Sequence, residues 1–177
     1  MSTMKKPLPD LRHLLIYAML GALMFTSKKI MESLPNIHLL GLLIMAYTLV
    51  YRVYALIPIY IYIILDGIFM GFAPFWLPYL YIWAVLWGVT MLLPKRMPKG
   101  VAAVVYALVC GLHGLAFGLL YAPAQAILFR LSWNATLAWI AAGFPFDLIH
   151  GISNFCAGLL VLPLSLLLRQ LEDRTVR

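Results

Sequence analysis

Asp147, His150, Asn154 and Gly158 stand at i, i+3, i+7 and i+11, a spacing that places them along one face of an α-helix. A carboxylate, an imidazole and an amide on one face can hold a polar ligand, exchange protons with it, or brace the helix against its neighbours. Asp66 lies in another apolar run beside Gly67 and Gly71, and His113 sits near the middle of a third. Asn36 and His38 precede an apolar run, Trp76 and Tyr79 lead an aromatic one, and Arg130 and Trp133 fall in a more polar stretch. Each has a plainer reading. Asp147 and His150 can serve only as helix braces, and Asp66 as a structural hydrogen-bonding group. The aromatics from Phe75 to Trp87 suit an interfacial belt, with Trp83 and Trp87 as packing residues. Lys28 and Lys29 read as the polar end of a helix. Arg130, between Phe129 and Leu131, is harder to dismiss. His113 and His150 could ligate a haem from two helices, but a single His pair does not specify one, and no cofactor or metal is expected.

Signatures of enzymes are missing. Gly151-Ile152-Ser153-Asn154 lacks the GxSG pattern of an intramembrane serine protease, whose nucleophile also needs a base. There is no CxxC, HExxH or Walker sequence,. Cys110 and Cys156 both sit in apolar runs and read as small buried hydrophobes.

The elements that must position these residues are membrane helices. Of 177 residues, 64% are hydrophobic and 11% charged, and the mean hydropathy is +0.97, whereas soluble domains are roughly a quarter charged. At roughly 20 apolar residues per crossing, the chain reads as a single integral membrane domain. Its expected architecture is an all-α bundle of six transmembrane helices over residues 11–27, 37–51, 54–72, 76–93, 101–121 and 138–168. The first run lacks a small-residue cleavage site and reads as a retained helix. Residues 122–137, with Pro123, Gln125, Arg130, Trp133 and Asn134, are too polar for a crossing and read as a helical or folded cap lying at the outer interface. Asn134-Ala135-Thr136 matches a glycosylation sequon.

Six crossings put both termini on one side. Ten of the thirteen basic residues then share it (Lys5, Lys6, Arg12, Arg52, Lys95, Arg96, Lys99, Arg169, Arg174 and Arg177), leaving Lys28, Lys29 and Arg130 opposite. Basic residues collect in cytoplasmic loops, so both termini are expected in the cytoplasm, and the formal charge of +7 reflects topology and calls for no nucleic acid. With that orientation Asp66, Asp147, His150 and Asn154 fall in the outer half of the membrane. Ionisable groups there cost roughly 2.5–3.5 kcal/mol on insertion scales, so they should face a polar cavity.

Stripes of small residues at four-residue spacing recur: Ala18 and Ala22, Gly67 and Gly71, Gly114 and Gly118. They allow close helix approach, either within the chain or against a second membrane protein. Ala18 and Ala22 on the first helix, the Leu34-Pro35-Asn36-Ile37-His38 turn, Trp76-Leu77-Pro78-Tyr79 and the Pro145-Phe146-Asp147 lead-in to the last helix together resemble the substrate-binding S component of energy-coupling factor (ECF) transporters. Tyr51-Arg52-Val53-Tyr54 stands where that family often has a glycine-rich connection.

The resemblance implies a bacterial, multi-pass plasma-membrane subunit that is not itself an enzyme. It would bind a vitamin or similar micronutrient under the external segments Thr26 to Asn36, Gly71 to Phe75 and Ala122 to Leu137. Its partners would be a transmembrane coupling subunit, docked at Ala18 and Ala22, and two cytoplasmic ATPases that drive its toppling in the lipid bilayer. The substrate-binding candidates are Asn36, His38, Asp66, Trp76, Tyr79, His113, Arg130, Trp133, Asp147, His150 and Asn154. A small membrane enzyme using Asp147, His150 and Asp66, and a ligand-free scaffold, are the alternatives.

Overall fold

A computed structural model describes residues 9–175. Among them the chain is helical: α1 (Leu11–Ile30), α2 (Leu40–Tyr51), a 3-10 turn (Arg52–Ala55), α3 (Leu56–Met70), α4 (Tyr79–Leu92), α5 (Lys99–Leu115), α6 (Phe117–Phe129), α7 (Trp133–Gly158) and α8 (Val161–Thr175). Three stretches are long and apolar enough to cross a membrane, Leu40–Met70, Lys99–Phe129 and Trp133–Gly158, and Tyr79–Leu92 is apolar but shorter. Large apolar side chains cover the outside, among them Met19, Phe69 and Leu112. A continuous apolar exterior of this kind is suited to lipid and not to water.

The centre of the bundle is α2, buried at every residue except Val50. Leu40–Met70 is not one straight rod. At Arg52 the backbone takes φ 57°, ψ −120°, a conformation uncommon for a residue with a Cβ, and the chain reverses. Lys28, at the end of α1, borders the same cavity as Asn36 and His38 ahead of α2, and it also bonds Asp66 late in α3. Thus α3 returns to the end of the bundle from which α2 set out. At the opposite end Tyr17 of α1 meets Tyr51 edge-on at 5.2 Å. His13 Nε2 lies 2.9 Å from Glu172 Oε1 of α8, so the two ends of the described chain lie side by side. Asp10 caps α1 by accepting from the His13 backbone N–H,. That bond, and then the His13 ring, hold its carboxyl below the ordinary carboxylate range,.

Close helix contacts rest on small residues. A Cβ on Gly21 would stand 2.9 Å from the Pro58 carbonyl oxygen of α3, and one on Gly114 only 2.7 Å from the His150 carbonyl oxygen of α7. Gly114 and Gly118 therefore serve internal packing of the α5–α6 arm on α7, and Gly67 is covered by Phe72 and Trp76. Ala18 and Ala22 are different: both side chains face outward from α1.

Several boundaries differ from those expected. The second and fourth helices start later, at Leu40 and Tyr79, after turns that contain Pro35 and Pro78. Residues 122–129, expected as part of a cap, continue the helical arm through Pro123 to Phe129. Arg130 ends α6 in the left-handed region at φ 50°,, and Ser132 caps α7 by accepting from the Ala135 N–H at 3.2 Å,. The last helix thus begins at Trp133 and breaks at Leu159–Leu160, where the Pro163 ring would clash with the carbonyl four residues back. Of the two cysteines, Cys110 is buried as expected, whereas Cys156 is exposed on the outside of α7.

Candidate functional site

A cavity of about 200 Å³ opens beneath the α1–α2 connection. Its floor and walls include Asn36 and His38 from the connection, Lys28 from α1, Tyr79 and Trp83 from α4, Phe117 from α6 and His150 from α7. Four segments distant in sequence converge here: the end of α1 with the connection that follows it, α4, α6 and α7. The connection is fixed over the cavity by Asn36, whose backbone sits at φ 60° and whose carbonyl accepts from Ser153 Oγ at 3.0 Å.

Aromatic rings form the interior. The His38 and His150 ring centroids are 4.7 Å apart, and His150 lies 4.8 Å from Phe117. Trp83 stands between His38 at 5.9 Å and His113 at 5.8 Å, with Tyr79 and Phe117 also against it. One cation reaches this cluster. Lys28 Nζ lies 5.5 Å from the Tyr79 ring centroid and 2.9 Å from Asp66 Oδ1, so the charge on the almost fully buried Asp66 is paired.

Polar atoms without a protein partner concentrate around the cavity. They comprise both ring nitrogens of His150, both amide atoms of Asn154, Trp83 Nε1, His113 Nδ1, Tyr62 Oη and Asp66 Oδ2; Tyr47 Oη lies apart on α2. Buried polar atoms are nearly always paired in native proteins, and each unpaired one costs about 1–3 kcal/mol. Of these residues His150 and Trp83 line the cavity itself, where water or a bound polar molecule would pair their ring N–H and N atoms. Asn154 is fully buried under His150, in space left by the missing side chains of Gly41 and Gly114. Among the described residues no group of three or more His, Cys, Asp or Glu could hold a metal ion.

Of the residues expected at a site, Asn36, His38, Tyr79 and His150 border the cavity, and Asp66, His113 and Asn154 stand in the layer behind it. Trp76 is turned away, donating from Nε1 to the Ile63 carbonyl at 2.8 Å. Asp147 is drawn to α6, where its carboxylate accepts from the Gly118 N–H at 3.1 Å. That bond replaces one lost where the helical arm is interrupted at Ala116,. Arg130 and Trp133 are not brought to the cavity. They form the tip of the α6–α7 hairpin, with Trp133 75% exposed, and seventeen residues of α7 put Trp133 about 25 Å from His150. Lys28, Trp83, Phe117 and Tyr62 went unanticipated. Lys28 carried one signal in the sequence, its charge, since a cation at the end of α1 is a suitable partner for a buried carboxylate.

No family model, curated protein or solved structure matches the chain.

Proposed function

We propose that this chain is the substrate-binding subunit of an ECF-type transporter, a six-pass membrane protein with both termini in the cytoplasm. In this reading it captures a compact micronutrient from outside in the cavity between Lys28, His38, Trp83 and His150. The observation that carries the proposal is the gathering of unpartnered buried donors and acceptors around an aromatic cavity. At about 200 Å³ the cavity is smaller than the roughly 300–1,000 Å³ of pockets for drug-sized ligands. The molecule is therefore compact, with the aromatic wall of Tyr79, Trp83 and Phe117 against one side of it,. Its polar edge meets His150 and, once the rings adjust, Asn154. A site that hydrogen-bonds its ligand in this way rejects analogues lacking those groups.

The outward-facing Ala18 and Ala22 support the partner reading. Gly21, on the adjoining buried side of α1, carries the internal contact with α3, so the exposed alanine stripe remains available to a coupling subunit. Energy for uptake would come from two cytoplasmic ATPases bound to that partner. The test is to purify the full chain without partners, extract it with organic solvent and identify retained small molecules by mass spectrometry. A single compound present near one per chain supports capture. Product formation by the isolated chain from candidate compounds would instead favour an enzyme using Asp66 and His150.

A further inference from the structure

A cavity of about 690 Å³ lies at the other end of the bundle. Arg52, Lys95 and Arg169 border it, together with Glu172 and Asp173. Both guanidinium groups are held in place by one bond each: Arg52 donates to the Met91 carbonyl at 3.1 Å and Arg169 to the Leu49 carbonyl at 2.9 Å. An arginine has five N–H donors in a rigid fork, so most of the donors on each remain for something else. Glu172, which is also bonded to His13, and Asp173 oppose three cations, so the lining carries a net positive charge. Leu49, Val53 and Leu93 supply an apolar wall.

Arg52 is also the residue at φ 57°, ψ −120°. Its carbonyl accepts from Trp87 Nε1 at 3.0 Å, so its backbone and its side chain are both tied to α4. Held strain of this kind is characteristic of functional positions. Reversing the chain here aims the Arg52 side chain across the cavity toward α4, where a glycine in the same turn would provide no charge.

We propose that this cavity binds a phosphate group, with the two anchored guanidiniums and Lys95 around its oxygens and the apolar wall against whatever the phosphate carries. The combination of fixed forks and a hydrophobic side matches an anionic phospholipid headgroup at the basic end of the bundle; a soluble phosphate compound shares the same chemistry. The site is separate from the small-molecule cavity and does not depend on the transport reading.

The full chain, purified in neutral detergent, is titrated by native mass spectrometry with phosphatidylglycerol and with phosphatidylcholine, and its thermal midpoint is followed against inorganic phosphate. Phosphatidylglycerol is expected to bind at least tenfold more tightly than phosphatidylcholine. Lys95→Gln, at an exposed position, should weaken that binding about fivefold. Asp173→Asn should strengthen it, and Lys99→Gln, a cation at the same end outside the cavity, should leave it unchanged. If inorganic phosphate raises the midpoint with the same Lys95 and Asp173 dependence while the lipid does not bind, the site holds and its source is soluble. Binding of neither phosphate form, equal binding of the two lipids, or equal loss in Lys95→Gln and Lys99→Gln overturns the proposal.

Discussion

Replacing His150 by leucine separates a ligand-binding histidine from a structural one, because the two roles predict opposite signs for stability. His150 is 2% exposed, and neither ring nitrogen has a protein partner. Leucine has similar bulk and no polar atoms. The ligand-free protein then sheds the cost of burying an unpaired donor and an unpaired acceptor, about 1–3 kcal/mol for each. Part of that gain is offset by the poorer fit of leucine against the His38 and Phe117 rings. The net expectation is an unfolding midpoint equal to or above that of the wild type. Ligand retention should move the other way. A polar group of the ligand left facing leucine loses its bond and its solvation, about 1–3 kcal/mol, or roughly a five- to 150-fold loss in affinity. The assay pairs thermal unfolding of the detergent-purified chain with quantitation of the co-purifying compound. A His150→Leu chain that is several kcal/mol less stable yet keeps its ligand would refute the reasoning and make His150 a brace for α7.

Three further outcomes follow from the same geometry. Lys28→Leu leaves Asp66, 1% exposed, without its cation and should cost about 3–5 kcal/mol; the Lys28→Leu/Asp66→Leu double variant should recover most of it, as read from thermal unfolding. Ala18→Trp and Ala22→Trp lie on the outward face of α1 and should leave the isolated chain folded and ligand-competent while abolishing association with a coupling subunit in co-purification. Single cysteines placed at Lys99 and Arg130, in a background lacking the exposed Cys156, should label from opposite faces of the membrane.

The polar face of α7 was legible in the sequence because helical periodicity alone puts His150 and Asn154 together. Which neighbour each would meet was not. Asp147, one turn before His150, is taken up by Gly118, since the interruption at Ala116 leaves an N–H unpaired there and periodicity says nothing of breaks in a facing helix. Arg130 and Trp133 looked available because polar residues, Pro123 and Asn134 suggested a helical or folded cap lying across the outer interface. Helical propensity carried α6 on to Phe129 instead, and an extended arm holds its tip away from the cavity. Lys28 and Asp66, thirty-eight positions apart, pair only once α1 and α3 are packed through Gly21. Their long separation hides a contact that composition demands. The reversal at Arg52 was expected as a break between two helices, but not as a strained arginine in place of glycine.

Native mass spectrometry of the intact chain, wild type beside His150→Leu, tests the central claim most directly. The account predicts a wild-type population carrying one small molecule per chain, of a size suited to about 200 Å³, and a His150→Leu population that is folded but largely free of it. A wild-type chain that carries no small molecule and gains none from any micronutrient offered, or one whose bound molecule is retained equally by His150→Leu, would contradict it.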